Sequence, residues 1–248
     1  MYLVQCSIHH TNAIRHLSAF WDRQALGDES LVVKPILTEG LSGAVVRPWS
    51  IHTQSGPLLK HTQRGPLFTV LGYSELGPEE LKDRLCLALP TVQKAIPELL
   101  ALEMPQLGKG NRYRFGIRLV PTIRVTKSPD RRYGERDAFL VAVEKFGPDA
   151  GLVRDEIYRT YLADRLKGAE IDGCRMGQFR LVDFVRPKAG GGFARKKMPE
   201  ATLEGALTVT DGAAFQQVVT SGIGRQRAYG YGMIRLQPAP ALNPGGEI

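Results

Sequence analysis

Cysteine is scarce in this sequence, and its positions fit neither a zinc site nor a disulfide framework. The three cysteines, Cys6, Cys86 and Cys174, are odd in number and far apart, and no CxxC pair occurs. A disulfide framework needs an even set of cysteines, and a cysteine-based zinc site needs closely spaced pairs. The acidic residues and histidines are also scattered, and the adjacent His9 and His10 would point to opposite faces of a strand. We therefore expect a reducing compartment, no bound metal and no cofactor.

Long apolar runs are also missing. No segment approaches the length of a membrane span, although 43% of the residues are hydrophobic, as in an ordinary globular protein. The first residues, MYLVQCSIHH, alternate like a strand and lack the basic and apolar regions of a secretory signal. We expect a cytoplasmic protein with no membrane partner. The 248 residues suit one large domain or two smaller ones.

Acidic residues are too few to balance the basic ones. The chain has 25 Asp and Glu against 33 Lys and Arg, a net charge of +8. Such an excess favours a polyanionic partner, with nucleic acid first among the candidates. A basic protein without such a partner is the alternative.

The order of apolar patterns in the first half predicts β-α-β-β-α-β. A strand opens the chain, and a helix follows with Ile14, Leu17 and Trp21 on one face. A second helix is predicted over GPEELKDRLCLAL. The remaining strand-like segments are LVVKPIL, GAVVRP, PLFTVLGY and the apolar stretch around Leu99 to Met104.

The second half repeats this order. Its clearest strand begins at Arg112, with Tyr113, Phe115 and Ile117 on one face and arginines on the other. Helices are predicted over ERDAFLVAVEKF, RDEIYRTYLADRLK and DGAAFQQVVTSG, and strands over GQFRLVDFVRP, ATLEGALTVT and YGMIRLQP. Each half fits the ferredoxin-like arrangement. We therefore predict an α+β chain of two tandem ferredoxin-like domains, residues 1–108 and 109–248, with a helical insertion at about residues 151–168 of the second.

The segment GIGRQRAYGYGMIRL combines glycines and arginines near the end of the sequence. It is not a dinucleotide fingerprint, because Arg227 stands where the third glycine belongs, and it lacks the Lys-Ser/Thr of a Walker loop. Glycines let a backbone approach a sugar-phosphate chain closely, here beside Arg225 and Arg227. A tight connection from helix to strand is the alternative.

The segment SGIGRQRAYGYGMIRL resembles the C-terminal glycine-rich loop of the RAMP superfamily, the ferredoxin-like proteins of CRISPR systems, and in particular its CasE-like repeat-processing endoribonucleases. The matching positions are Gly222, Ile223, Gly224, Arg227, Ala228, Tyr229, Gly230 and Gly232. NRYRFGIRLVPT, LVDFVRPK and LEGALTVTDGAAF resemble further segments of that branch, so the resemblance covers mainly residues 111–238. The weak match of the first half would suit the divergent form found in type IV systems.

The resemblance implies a metal-independent endoribonuclease. Such a protein binds the stem-loop of a CRISPR repeat and cleaves precursor crRNA by attack of the RNA 2′-hydroxyl, which leaves a 2′,3′-cyclic phosphate. It retains the crRNA and works with other subunits of a CRISPR ribonucleoprotein complex. A non-catalytic RNA-binding subunit of an effector complex is the alternative, and a DNA-binding scaffold comes third.

The same resemblance guides the choice of catalytic residues. The usual base of the branch is a histidine on the first helix, which points to His16, one place off the usual spacing. Arg15 and Arg23 lie near it, and a guanidinium can stabilise the charge of a pentavalent phosphate. His52 and His61 are the second choice for the base.

The predicted RNA contacts lie on one strand face, on the helical insertion, in the segment RPKAGGGFARKK and in the glycine-rich loop. The strand face is favoured because its like charges have no acidic neighbours in the sequence, whereas the helical insertion could instead pack as core. The residues are Arg112, Arg114, Arg118, Arg154, Arg159, Arg165, Arg186, Lys188, Arg195, Lys196, Lys197, Gly222, Gly224, Arg225, Arg227 and Gly230.

Overall fold

The structure, a computed structural model, describes residues 1–19, 29–52, 67–126, 134–188 and 192–239. Within these ranges the elements follow one another as β1 (Tyr2–His9), α1 (His10–Leu17), α2 (Glu29–Gly40), β2 (Trp49–His52), β3 (Leu67–Ser74), α3 (Pro78–Leu87), α4 (Pro90–Ala95), β4 (Glu98–Glu103), β5 (Arg112–Leu119), β6 (Thr122–Val125), β7 (Gly134–Asp137), α5 (Ala138–Phe146), α6 (Arg154–Ala163), β8 (Ala169–Pro187), β9 (Phe193–Val209), α7 (Gly212–Ser221) and β10 (Ile234–Pro238).

The chain divides into two compact units that are each assembled from separate segments. The first unit contains residues 1–105, 183–197 and 226–233. The second contains residues 106–182, 198–225 and the described part of residues 234–248. The end of the β8–β9 hairpin and part of the glycine-rich loop therefore belong to the first unit.

The sheet of the first unit has the strand order β2-β3-β1-β4, and the pairs β1–β3, β1–β4 and β2–β3 are antiparallel. Helices fill both crossovers, between β1 and β2 and between β3 and β4. Val4, Cys6 and Ile8 of the central strand β1 are buried in the core beneath these helices. This is the ferredoxin-like arrangement that the order of apolar patterns predicted for the first half of the sequence.

The sheet of the second unit has the equivalent order, β10-β5-β9-β8. Its central strand β5 pairs antiparallel with β9 and β10 and buries Tyr113, Phe115, Ile117 and Leu119 on one face. The small hairpin β6–β7 is added to the basic pattern. The predicted fold class, two tandem ferredoxin-like domains, is confirmed.

Two strand predictions in the first half are wrong. The segment LVVKPIL lies in helix α2, and GAVVRP forms the turn and loop between α2 and β2. Leu31, Val32, Val33, Ile36 and Leu37 are all buried, so α2 is apolar over most of its circumference. A helix of this kind shows no 3.6-residue period, and its β-branched residues resemble a strand.

Helix α6, which lies within the predicted helix RDEIYRTYLADRLK, buries a stripe of apolar side chains. Tyr158, Tyr161 and Leu162 are buried, as is Leu166 just beyond the helix. This burial supports the alternative that the segment is part of the core of the second unit. Contact of its arginines with RNA stays a prediction.

Helix α7 begins and ends as predicted. The Asp211 side chain accepts a hydrogen bond from the Ala214 backbone N–H at the N-terminus, and Gly222 terminates the helix with φ 72°. None of the helices in the described ranges has the length and apolar character needed to cross a membrane.

Candidate functional site

His16, the predicted base, joins three helices of the first unit. Its Nε2 lies 2.7 Å from Oε2 of Glu39 in α2, and its Nδ1 lies 2.9 Å from Oγ1 of Thr91 in α4. The His16 side chain is only 5% exposed. A general base must reach the proton that it removes. Both ring nitrogens already have protein partners, so this geometry supports a packing role better than a catalytic one.

The other residues predicted for catalysis are placed differently. Arg15 is exposed on α1. Arg23 and His61 lie outside the described residues. The His52 Nε2 lies 3.1 Å from the Ser50 Oγ at the end of β2.

Tyr229 is the centre of a cluster of aromatic and cationic side chains in the first unit, which we call the Tyr229 cluster. The Lys34 Nζ from α2 lies 3.4 Å from the Tyr229 Oη and 4.5 Å from the ring centroid. The Arg186 guanidinium, from β8, lies 3.6 Å from the same centroid and 4.4 Å from that of Phe184. Cation–π contacts therefore hold two positive charges on one phenol ring.

Apolar contacts explain why these distant segments meet. Leu31 and Val185 are buried against each other, and Phe193 and Tyr229 pack on them. Each comes from a different part of the chain: α2, β8, β9 and the 3-10 turn Arg227–Tyr229. The cluster is thus anchored by a small hydrophobic core of its own.

A cleft opens beside the Tyr229 cluster. It is lined by Lys34, Thr38, Arg47, Trp49, Ala228 and neighbouring residues of the α2–β2 connection. Arg47 is exposed at this cleft, so cations from two segments face it. Such a surface is suited to an anionic ligand.

The end of the β8–β9 hairpin adds further positive charge to the first unit. Lys188, Arg195, Lys196 and Lys197 are exposed there. Arg227 of the glycine-rich loop is exposed as well. The hairpin end belongs to the first compact unit, and residues 189–191 lie outside the described residues.

The arginine face of β5 has acidic neighbours, contrary to the expectation from the sequence. The Arg112 Nε lies 2.9 Å from Oδ2 of Asp172, and the Arg118 Nη2 lies 2.6 Å from Oε2 of Glu200. The two carboxylates come from β8 and β9 of the same sheet, so no local pattern in the sequence could reveal these pairs. Arg114 lies between Arg112 and Arg118 on β5. It is exposed and has no ionic partner among the described residues.

The arginines of α6 are held by their own unit. Arg154 donates to Asp137 and to the Tyr158 Oη, both at 2.5 Å, and lies over the rings of Phe139 and Phe179. Burial, and then the neighbouring Asp137, raise the pKa of Tyr158.

The remaining arginines near this helix also have partners. Arg159 pairs with Asp155 at 3.3 Å, and Arg165 donates to the Tyr161 carbonyl and stacks on its ring. Arg225 of the glycine-rich loop lies 3.5 Å from Glu135.

Two glycines of the loop pack where a side chain would not fit. A Cβ atom at Gly224 would lie 2.9 Å from the Tyr161 Oη, and one at Gly230 would lie 2.6 Å from the Trp49 ring. Both have positive φ angles, as does Gly222. These contacts favour the tight helix-to-strand connection over close approach of Gly230 to a phosphate.

Sequence reasoning missed Lys34 and gave Tyr229 no role. Lys34 escaped notice because LVVKPIL was predicted to be a strand. Tyr229 is one of the positions that match the glycine-rich loop pattern, and this match was the only indication in the sequence that Tyr229 could belong to a functional site. In the described part of the chain no group of three or more His, Cys, Asp and Glu side chains is arranged to hold a metal ion.

The protein is thus a tandem ferredoxin-like protein, and each of its two units carries exposed cations. The sequence matches the family described as CRISPR associated protein over residues 54–238. The chain therefore belongs to this CRISPR-associated family. No curated protein sequence matches it at a significant level.

Solved structures share the fold at low sequence identity. The CRISPR endoribonuclease Cse3 bound to a 19-nucleotide RNA matches with a TM-score of 0.63 and 16% identity, over 96% of this chain and 100% of that one. Cas6e from Escherichia coli str. K-12 matches with a TM-score of 0.52 and 16% identity over the same shares. A chain of a CRISPR RNA-guided surveillance complex, pre-nicking, matches with a TM-score of 0.55 and 18% identity, again over 96% and 100%.

Proposed function

We propose that this protein is an endoribonuclease that binds the stem-loop of a CRISPR repeat RNA and cuts the precursor crRNA. Family membership and the fold shared with Cse3 and Cas6e support this class of activity. The observation that carries the proposal is the Tyr229 cluster, which places Lys34 and Arg186 on one phenol beside a cation-lined cleft. After cleavage the protein retains the crRNA and associates with other subunits of a CRISPR complex.

The proposed reaction is attack of the RNA 2′-hydroxyl on the adjacent phosphate, without a metal ion. The O2′–P bond forms, the P–O5′ bond breaks, and the products are a 2′,3′-cyclic phosphate and a 5′-hydroxyl. The attacking hydroxyl loses its proton and the leaving 5′-oxygen gains one. Lys34 and Arg186 would stabilise the extra negative charge on the phosphate, and Tyr229 offers a hydroxyl for proton transfer. Exposed Arg15 is a further candidate for charge stabilisation.

Incubation with labelled repeat RNA from the same genome tests the proposal. Cleavage should continue in excess EDTA and leave a cyclic phosphate, and a single 2′-deoxy nucleotide before the mapped scissile phosphate should abolish it. Cleavage of that deoxy substrate at the normal rate would contradict the mechanism, because the nucleophile would be missing.

Substitutions test the Tyr229 cluster separately. Lys34→Ala and Arg186→Ala should each slow single-turnover cleavage by about 10²–10³-fold, the usual cost of one lost electrostatic donor. Lys82→Ala is the matched control, because Lys82 is an exposed lysine of the same unit that pairs with Glu79. Equal cleavage rates for all three variants would show that the Tyr229 cluster takes no part in the reaction.

A non-catalytic RNA-binding subunit is the second candidate, and the geometry of His16 favours it. Both ring nitrogens of this histidine have protein partners, so it is poorly placed to act as a base. The same incubation separates the two candidates. A nuclease releases discrete products, whereas a binding subunit shifts intact RNA on a native gel.

A further inference from the structure

A buried carboxylate lies between two arginines on the polar face of the second sheet. The Glu200 side chain is 3% exposed, and its two oxygens have different partners. Oε2 accepts from the Arg118 Nη2 at 2.6 Å, and Oε1 accepts from the Arg180 Nε at 2.5 Å. The three residues lie on β9, β5 and β8, so three neighbouring strands contribute one residue each. We call this group the Glu200 fork.

The Glu200 fork keeps a positive charge at the surface. Two guanidinium groups and one carboxylate leave one net positive charge. Arg118 is 26% exposed and Arg180 is 50% exposed, although the carboxylate between them is buried. Within this group of three side chains, one arginine would be enough to neutralise Glu200.

A neighbouring ion pair on the same sheet is arranged differently. Arg175 pairs with Glu204 at 2.8 Å, one cation to one anion, and both side chains are largely exposed. Ion pairs of this kind contribute little to stability and hold their side chains loosely. The Glu200 fork differs because its anion is buried and its two cations are fixed.

We propose that Glu200 is a positioning residue that holds Arg118 and Arg180 as a preorganised site for the phosphates of the RNA backbone. Guanidinium groups bind phosphate oxygens through parallel N–H donors. Fixing two of them before binding avoids the entropy cost of ordering two long side chains. The inference rests on the proposed function, since it assigns a binding surface for the same RNA.

Removal of the Glu200 charge distinguishes two effects: the orientation of the two arginines by the carboxylate, and the general attraction between a positive protein and RNA. Glu200→Gln makes the protein more positive by one charge, so general electrostatics predicts tighter RNA binding. The positioning role predicts the opposite result, because the two arginines lose the anion that orients them. Glu204→Gln is the matched control, since it removes an equivalent charge from the exposed pair on the same sheet.

The experiment measures the affinity of the full-length variants for fluorescein-labelled repeat RNA across a series of salt concentrations, with thermal unfolding as the folding control. Glu200→Gln should weaken binding about tenfold and reduce the salt slope by about 0.7 to 1.8, which corresponds to one or two lost phosphate contacts. Glu204→Gln should bind equally or slightly more tightly. Tighter binding by folded Glu200→Gln, or an unchanged affinity and slope, would overturn the assignment.

A second pair of variants keeps the test decisive if Glu200→Gln does not fold. Arg180→Gln leaves Glu200 paired with Arg118 and should reduce the affinity and the salt slope more than Arg175→Gln does. Equal losses in the two variants would show a general effect of charge and would overturn the assignment. Failure of the wild-type protein to bind repeat RNA at all would contradict the proposed function instead, which keeps the two failures distinct.

Discussion

His16 illustrates how strongly the fold determines what one side chain can do. Its ring links α1 to Glu39 of α2 and to Thr91 of α4, so the imidazole completes a hydrogen-bonded bridge among three helices. Breaking such a bridge leaves buried polar groups without partners, and that costs free energy of unfolding. The same bridge keeps the ring nitrogens away from an incoming RNA.

Substitution of His16 by alanine should destabilise the protein by about 2–3 kcal/mol, because one hydrogen bond to a charged group and one to a hydroxyl are lost from a largely buried site. Urea denaturation measures this change in the free energy of unfolding. Arg15→Ala is the control, since this exposed neighbour should change stability by less than about 0.5 kcal/mol. Among folded molecules, His16→Ala should lower the cleavage rate by less than about tenfold. A loss of ~10²–10⁴-fold in the rate would identify His16 as the base after all.

The three cysteines differ sharply in environment. Cys86 is exposed on α3, whereas Cys6 is buried in β1. Burial raises the pKa of the Cys6 thiol to about 12. Burial, and then the carboxylate of Asp155, raise the pKa of Cys174 to about 11. Only the thiolate reacts with alkylating reagents, so a raised pKa protects a thiol at neutral pH.

Iodoacetamide at pH 8 should therefore modify Cys86 first, Cys174 much more slowly, and Cys6 only after unfolding. With a pKa of about 11, roughly one Cys174 thiol in a thousand is ionised at pH 8. Its rate should rise with pH up to that pKa. Peptide mass spectrometry after timed quenching measures the order. Labelling of Cys174 at the rate of Cys86 in the folded protein would contradict this reading of its environment.

At the scale of elements, the sequence predicted amphipathic segments well and uniformly buried ones poorly. The alternation in β5 and the apolar stripe of α6 are visible in the sequence because one face of each element is polar. Helix α2 is buried over most of its surface and was mistaken for a strand. The partners of His16 and Glu200 come from other elements, so only the folded chain reveals them.

Helix α6 should be essential for the stability of the second unit. Tyr158→Ala removes a fully buried aromatic side chain and leaves Arg154 and Asp137 without its hydroxyl. We expect a loss of about 3–5 kcal/mol, the usual cost of truncating a buried aromatic residue. Thr160→Ala, on the exposed face of the same helix, is the control and should have little effect. Equal melting temperatures for the two variants would indicate that α6 is a dispensable arm.

At the scale of the whole molecule, the chain does not divide into units at a single point. The first unit needs the end of the β8–β9 hairpin and part of the glycine-rich loop in addition to residues 1–105. Val185 covers Leu31, and Gly230 lies against Trp49. The proposed site depends on this interleaving, because the Tyr229 cluster combines Lys34 with two residues from the second half of the sequence.

A fragment of residues 1–108 should consequently fail to fold cooperatively, although it contains all four strands of the first sheet. Without the later segments, Leu31 and Trp49 lose buried contacts, and each large apolar side chain returned to water costs about 1.5–3 kcal/mol. Two such losses total about 3–6 kcal/mol, a large part of the 5–15 kcal/mol that stabilises a typical domain. Near-ultraviolet circular dichroism and urea denaturation of the fragment and the full chain measure the difference. In the full chain, Val185→Ala is a milder check, and it should lower the free energy of unfolding by about 1 kcal/mol. A fragment with a sharp unfolding transition and native near-ultraviolet signal would mean that the two later segments contribute to the site and not to the stability of the first unit.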